Sequence, residues 1–386
     1  MDGFVSVVTA LAMICFSLSF LLVPAALIGL VVWLVRRNMR RADLFAQAAG
    51  PLGLSPEGQR RLVGVRSGVH VRLRHVHEGS SDNRSSWTYV EATIDPPLRL
   101  GARINAQGWL GAAFSELVGK DISVGDPSFD RDFSVGAIEE DEIARFLNPE
   151  FRRDLSGIRA RYPSLWVTDD EVLLKFSGWV TDAHRLGLAL DAAVGLSSGA
   201  LAARRAMGPT ARERAVIDSW SRVAMESGWA FDREQLALTG AVDRASFQVV
   251  PVLNRSGWST RFRVSFDRPL GVDLQLRKQG AFSAVGRFFG VQDIVIGDPR
   301  FDDSFTVKGS NPDGVRRVLD DEALRGQLLT LLAAAKSFEV GDNHVEALAH
   351  GLVDQAPSLR HSLDLVAEVA RGLRARVDAP AVGAYR

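Results

Sequence analysis

Shifted by 172 residues, the chain aligns with itself. Residues 95–153 lie over 267–325 without a gap, and about 20 of the 59 positions are identical. The matches include Asp95/Asp267, Pro97/Pro269, Gln107/Gln279, Gly108/Gly280, Asp121/Asp293 and Ile122/Ile294. Two copies at so long a period describe a duplicated globular domain, because solenoid units run only about 20–50 residues. At the centre stands "GDPSFDRDFSV" (125–135), answered by "GDPRFDDSFTV" (297–307). Any fold proposed for one half must therefore serve the other. With 386 residues, the chain also exceeds the ~100–200 residues of one ordinary domain. The expected organisation is a membrane anchor over 1–41, a first repeat over 42–207, a second over 208–376 and a flexible tail over 377–386. The boundary is "RRAMGPT", where Gly208-Pro209 interrupts helical periodicity and Thr210 to Glu213 form a capping box.

Element order repeats as well. Each half opens on a helix, "ADLFAQAAG" or "ARERAVIDSWSRVAMESG", the latter with Ala215, Trp220, Val223 and Ala224 at helical spacing. Then come alternating strands: "VHVRLRHVH" and "WTYVEATID" in the first half, "SFQVVPVLN" and "TRFRVSFD" in the second. Such alternation marks antiparallel strands with one face buried. "HEGSSDNRSS" and "NRSG" join them as hairpins. A short Gly-rich helix or loop follows, then the repeated phrase, a helix, a strand pair around "LWVTDDEVLLKFSG" in the first half, and a long closing helix. The expected class is α+β: an N-terminal transmembrane helix, then two tandem copies of an antiparallel sheet packed on helices.

The repeated phrase has two physical uses. As a turn, Gly125 and Gly297 tolerate positive φ, Asp126 and Asp298 are pushed into extended geometry by Pro127 and Pro299, and Asp130 and Asp302 cap nearby amides. Phe129 and Phe133, matched by Phe301 and Phe305, seal the turn onto a core. As chemistry, Asp126 and Asp130 would form a carboxylate pair for acid–base work or a hard cation. No His, Lys or third carboxylate recurs in both copies beside them, so the structural role is the expectation.

Other candidate chemistry is sparse. "GLSSG" (195–199) matches a nucleophile-elbow pattern but falls within a helical run rather than after a strand. His75 and His77 share one face of a strand with Glu78 beside them, a possible start of a metal site without an identifiable third ligand. His344 and His350 are six apart and fit no metalloprotease pattern. There is no phosphate-binding loop, dinucleotide fingerprint or kinase signature. Lys plus Arg equals Asp plus Glu, 46 against 46, which removes the global electrostatic argument for a nucleic-acid partner. The single cysteine, Cys15, excludes an intramolecular disulfide. No cofactor is implied.

Residues 4–35 carry no charge, and about 20 such residues span a bilayer as a helix. Pro24 offers a bend and Trp33 an interfacial anchor. The start "MDG" lacks the basic segment of a cleaved signal, and the run is more than twice a ~7–15-residue signal core. Arg36, Arg37, Arg40 and Arg41 follow the helix whereas only Asp2 precedes it. This charge bias expects the N-terminus outside, the bulk of the chain cytoplasmic, and a single pass through the inner membrane. The same four arginines are candidates for contact with anionic headgroups.

The G-D-P-x-F-D-x-x-F-x-V phrase is followed by R-x-L-x-x-E, as Arg145, Leu147 and Glu150 and again as Arg317, Leu319 and Glu322. Together they resemble a bacterial family of membrane-anchored proteins with a domain of unknown function. The similarity covers 121–153 and 293–325. It implies an anchored, cytosolic-domain layout and transfers no catalytic residue. The expected function is a single-pass membrane protein carrying a duplicated interaction or sensing module, its protein partners open. The alternatives are a tethered carrier of lipid or another small ligand, and a hydrolase using Asp126/Asp130 or His75/His77.

Overall fold

The computed structural model describes residues 42–78, 85–107, 121–243, 245–254, 257–279 and 293–378, with Leu30, Trp33, Arg36 and Met39 before them. The first half runs α1 (Ala49–Leu52), β1 (Ser55–Pro56), β2 (Arg61–Arg66), β3 (Val69–Glu78), β4 (Ser85–Thr93), β5 (Arg103–Ala106), α2 (Pro127–Asp132), β6 (Phe133–Gly136), α3 (Glu140–Phe146), α4 (Pro149–Arg161), β7 (Leu165–Thr168), β8 (Glu171–Ser177) and α5 (Ala183–Met207). The second half runs α6 (Ala211–Ser227), β9 (Ala230–Asp232), β10 (Ala237–Val242), β11 (Ala245–Asn254), β12 (Gly257–Ser265), β13 (Gln275–Lys278), α7 (Pro299–Asp302), β14 (Phe305–Lys308), α8 (Pro312–Leu319), α9 (Glu322–Ala334), β15 (Ser337–Gly341), β16 (His344–His350) and α10 (Ala356–Asp378).

The two sheets have one topology. The first is ordered β1-β2-β3-β4-β8-β7-β5-β6, and the second β9-β10-β11-β12-β16-β15-β13-β14 when read from its β9 edge. Adding eight to each strand number converts one into the other. The class is thus α+β with two similar eight-stranded sheets, and the pairings are antiparallel. The β7–β8 strand pair anticipated for the first half has a counterpart, β15–β16, in the second. Upstream of β4 the equivalence shifts from 172 to 176 residues, because 79–84 separate β3 from β4 while only 255–256 separate β11 from β12.

Alternation places Val71, Leu73 and Val90 on the buried face of the first sheet and Phe247, Val249, Phe262 and Val264 on that of the second. In the second half α10 packs on β12 and β16 and against α6, α8 and α9. Leu328, Leu359, Val369 and Leu373, fully buried, fill that layer together with the sheet's apolar residues. By compactness one unit takes the chain to Leu98, Arg103–Gly136 and Leu147–Ala203; the other takes Arg99–Ala102, Ala137–Phe146 and the chain from Arg204.

A tie absent from the sequence-based expectations recurs in each sheet. Thr88 Oγ1 donates to Gly178 O at 2.8 Å and accepts from Val180 N at 3.0 Å. Thr260 Oγ1 donates to Gly351 O at 3.0 Å and accepts from Val353 N at 2.8 Å. Both threonines are fully buried, and each fastens a central strand to the segment leading into the closing helix.

The expected membrane helix over 4–35 lies outside the described residues apart from Leu30 and Trp33, which are helical and exposed. Among the described residues one helix, α5, is long and apolar enough to cross a membrane. Packing accounts for the same apolarity. Half of its apolar window is buried, including Leu186, Ala189, Leu190 and Ala193. Its Asp191 takes a two-pronged ion pair from Arg66 of β2, at 2.6 and 3.0 Å.

Candidate functional site

The repeated phrase folds as a capped turn in each half. Gly125 and Gly297 adopt φ of 79° and 97°, the left-handed region that favours glycine. Asp126 is the N-cap of α2, accepting from the amides of Ser128 and Phe129 at 3.1 and 3.2 Å. Asp298 caps α7 through Phe301 N at 3.2 Å and holds Arg325 at 2.9 Å. The Ser128 hydroxyl, aided by the Phe129 amide, keeps Asp126 below the ordinary carboxylate range. The Phe301 amide, with Arg325, does so for Asp298. Asp130 accepts from Ser123 Oγ and Val124 N at 2.6 and 3.0 Å, and Asp302 accepts from Ile296 N and Gly297 N, each at 2.9 Å. Beneath these turns the Phe129/Phe133 and Phe301/Phe305 rings meet at 4.5 and 4.6 Å. Carboxylates so engaged serve the turn.

Ser197 of "GLSSG" lies inside α5, fully buried, and donates to Thr93 O at 2.7 Å. His75 is buried, stacked on Trp179 at 3.5 Å, with Nε2 3.1 Å from Ser86 Oγ; His77 meets its edge at 5.0 Å. Among the described residues no group of three or more His, Cys, Asp or Glu could hold a metal ion. His344 Nδ1 lies 2.7 Å from Asn343 Oδ1, and His350 ends β16. Arg36 is helical and exposed; Arg37, Arg40 and Arg41 lie outside the described residues.

Each sheet carries a cleft beside the polar residues that alternate with its buried ones. In the first unit a cleft of about 280 Å³ is lined by Gly64, His70, Arg72, Glu91, Thr93 and Glu171, among others. In the second unit a cleft of about 880 Å³ is lined by Gly240, Ser246, Gln248, Arg263 and Ser265, among others. These are equivalent positions. Gly64 and Gly240, His70 and Ser246, and Arg72 and Gln248 differ by 176, while Glu91 and Arg263, and Thr93 and Ser265, differ by 172. Register confirms the match: Arg72 faces Glu91 across β3–β4, and Gln248 faces Arg263 across β11–β12. Glu171, opposite Thr93, stands where His344 stands opposite Ser265.

The polar chemistry of the two clefts is different. In the first, Glu91 is buried and held by Arg72 at 3.2 Å and by Arg74. No hydrogen bond or ion pair from a described residue reaches the carboxylate of Glu171. Burial, with repulsion from Glu91 and Asp170, pushes that carboxyl's pKa up. In the second, Arg263 pairs with Glu346 at 3.4 Å, and burial, then Arg263, pushes the neighbouring His344 down. Farther along the same face of the first unit, Lys175, its side chain 5% exposed, pairs with Glu78 at 2.7 Å and sits 4.1 Å from the Trp87 ring centre. Leu348 takes that lysine's place in the second unit.

No protein-family model matches the chain. No curated protein matches it either. Among solved structures, the mycobacterial trehalose monomycolate transport factor A, TtfA, matches at 14% identity and a TM-score of 0.31, over 44% of this chain and 99% of that one.

Proposed function

We propose that this chain is a membrane-tethered, non-catalytic binding module in which each repeat offers one cleft to a small polar ligand. The carrying observation is that clefts occur at equivalent positions of both sheets, beside the polar residues that alternate with the buried apolar ones. Their sizes approach or fall within the range of about 300–1,000 Å³ typical of small-molecule sites. The apolar layer between sheet and helices in the second unit is filled by side chains, so an occupant sits on the outer face rather than inside. The tether in this proposal is the 4–35 segment, with Arg36 and its neighbours at the cytoplasmic headgroups and both units on that side.

Hydrogen exchange of the full chain in phosphatidylcholine nanodiscs, with and without a library of polar small molecules, tests the proposal. Binding is expected to protect 63–72 and 91–93, or 239–248 and 263–265. Protection centred on the turns at 125–135 and 297–307 instead would refute it.

A further inference from the structure

Building on that function, we infer that the two clefts have diverged to opposite charge preference: Arg263 receives an anionic phosphate or carboxylate group in the second unit, and Glu171 receives a cationic group in the first. The lining of the first cleft sets one strong cation, Arg72, against two acids, Glu91 and Glu171. The lining of the second contains Arg263 and no acid. At two equivalent positions an acid in one unit has become a base in the other: Glu91 answers to Arg263, and Glu171 to His344.

Accessibility and pairing select the reactive member of each set. Glu91 is 6% exposed by side chain and already bracketed by Arg72 and Arg74, so it is neutralised within the sheet. Glu171 is only half-buried, lines the cleft and makes no hydrogen bond or ion pair with a described residue; Arg74 and Arg72 act on it from a distance, less than burial and the repulsion from Glu91 and Asp170 do. A guanidinium or ammonium brought to it would favour its charged form, offsetting the cost of its burial and the repulsion from Glu91. In the second cleft Arg263 keeps 40% of its side chain exposed, and its contact with Glu346, at 3.4 Å, is longer than a strong charge-assisted bond. Donor capacity therefore remains on the guanidinium. Around it Gln248, Ser246 and Ser265 supply neutral amide and hydroxyl groups, which can hydrogen-bond an anion without opposing its charge.

The test uses the full chain in phosphatidylcholine nanodiscs, titrated calorimetrically with glycerol 3-phosphate, with agmatine and with uncharged glycerol. Arg263→Gln is expected to weaken glycerol 3-phosphate roughly tenfold or more, the loss of one charge-assisted contact, and to leave agmatine unchanged. Glu171→Gln is expected to do the reverse. Arg263→Lys, which keeps the charge, retains part of the phosphate affinity and guards against a Gln variant that fails to fold. Replacing part of the disc lipid by phosphatidylglycerol separates the sources of the anion: a lipid headgroup competes with glycerol 3-phosphate, whereas a soluble phosphate is unaffected by the lipid. Equal loss of both probes in both variants overturns the charge assignment. So does a preference for glycerol over either ion, which would leave the binding function standing. If none of the three binds, the charge assignment falls; protection of the clefts by other library molecules would then decide the fate of the binding function.

Discussion

At the scale of single residues, the two copies offer paired experiments on one environment. Thr88→Val or Thr260→Val removes a hydroxyl that serves a carbonyl and an amide at once, and each is expected to cost about 1–3 kcal/mol in denaturant melts. The glycines under the clefts should respond unequally. A Cβ on Gly240 would sit 2.7 Å from atoms of both the Phe247 and Trp229 rings, whereas on Gly64 it would meet the free end of Leu54. Gly240→Ala is therefore expected to cost about 1–3 kcal/mol and Gly64→Ala less. The pH dependence has a sign for each unit. Glu171 holds its proton in the folded state above the ordinary value of 4.5, so its contribution to stability falls as pH rises from there through the folded value. His344 resists protonation below 6.5, so stability is lost as pH falls from 6.5 toward its folded value. Glu171→Gln should flatten the first dependence and His344→Gln the second, both read from melting midpoints across pH 4–8.

At the scale of elements, α5 is where composition alone misleads. Its length and apolarity suit a bilayer, yet Leu190 is fully buried and Asp191 beside it is held by Arg66. Leu190→Asp is expected to destabilise the fold by more than about 3 kcal/mol, measured by tryptophan fluorescence during urea unfolding. The strands β3, β4, β11 and β12 were legible in the sequence because their alternation is long and regular. The pairs β1–β2 and β9–β10 were not, since they are short and glycine breaks β2 and β10 in mid-strand. The hairpin connection of four extra residues between β3 and β4 also put upstream elements out of the 172-residue register. The clefts escaped for a different reason. Comparing halves for shared residues finds what a fold must keep, such as the turn at 125–135. It passes over positions where Glu91 has become Arg263.

At the scale of the whole molecule, repeat and compact unit are different things. The second unit includes Arg99–Ala102 and Ala137–Phe146. Within it Arg99 donates to the carbonyls of Glu234 and Gln235 at 3.2 and 2.6 Å, and Trp258 Nε1 donates to Glu139 at 2.7 Å. A fragment beginning at Arg204 lacks those partners and is expected to melt below the intact chain, as differential scanning calorimetry would show. The common strand order carries a further consequence, for folding. Tandem copies of one sheet risk exchanging strands during synthesis. A β3 that paired with β12 in place of β4 would set Arg72 opposite Arg263 and Arg74 opposite Arg261, repelling across the strands. Divergence at these positions thus doubles as a proofreading device: converting β12 to the first copy's residues, Arg261→Tyr with Arg263→Glu, is expected to lower the yield of monomer on refolding, and an undiminished yield would show that the charges play no part in keeping the copies apart.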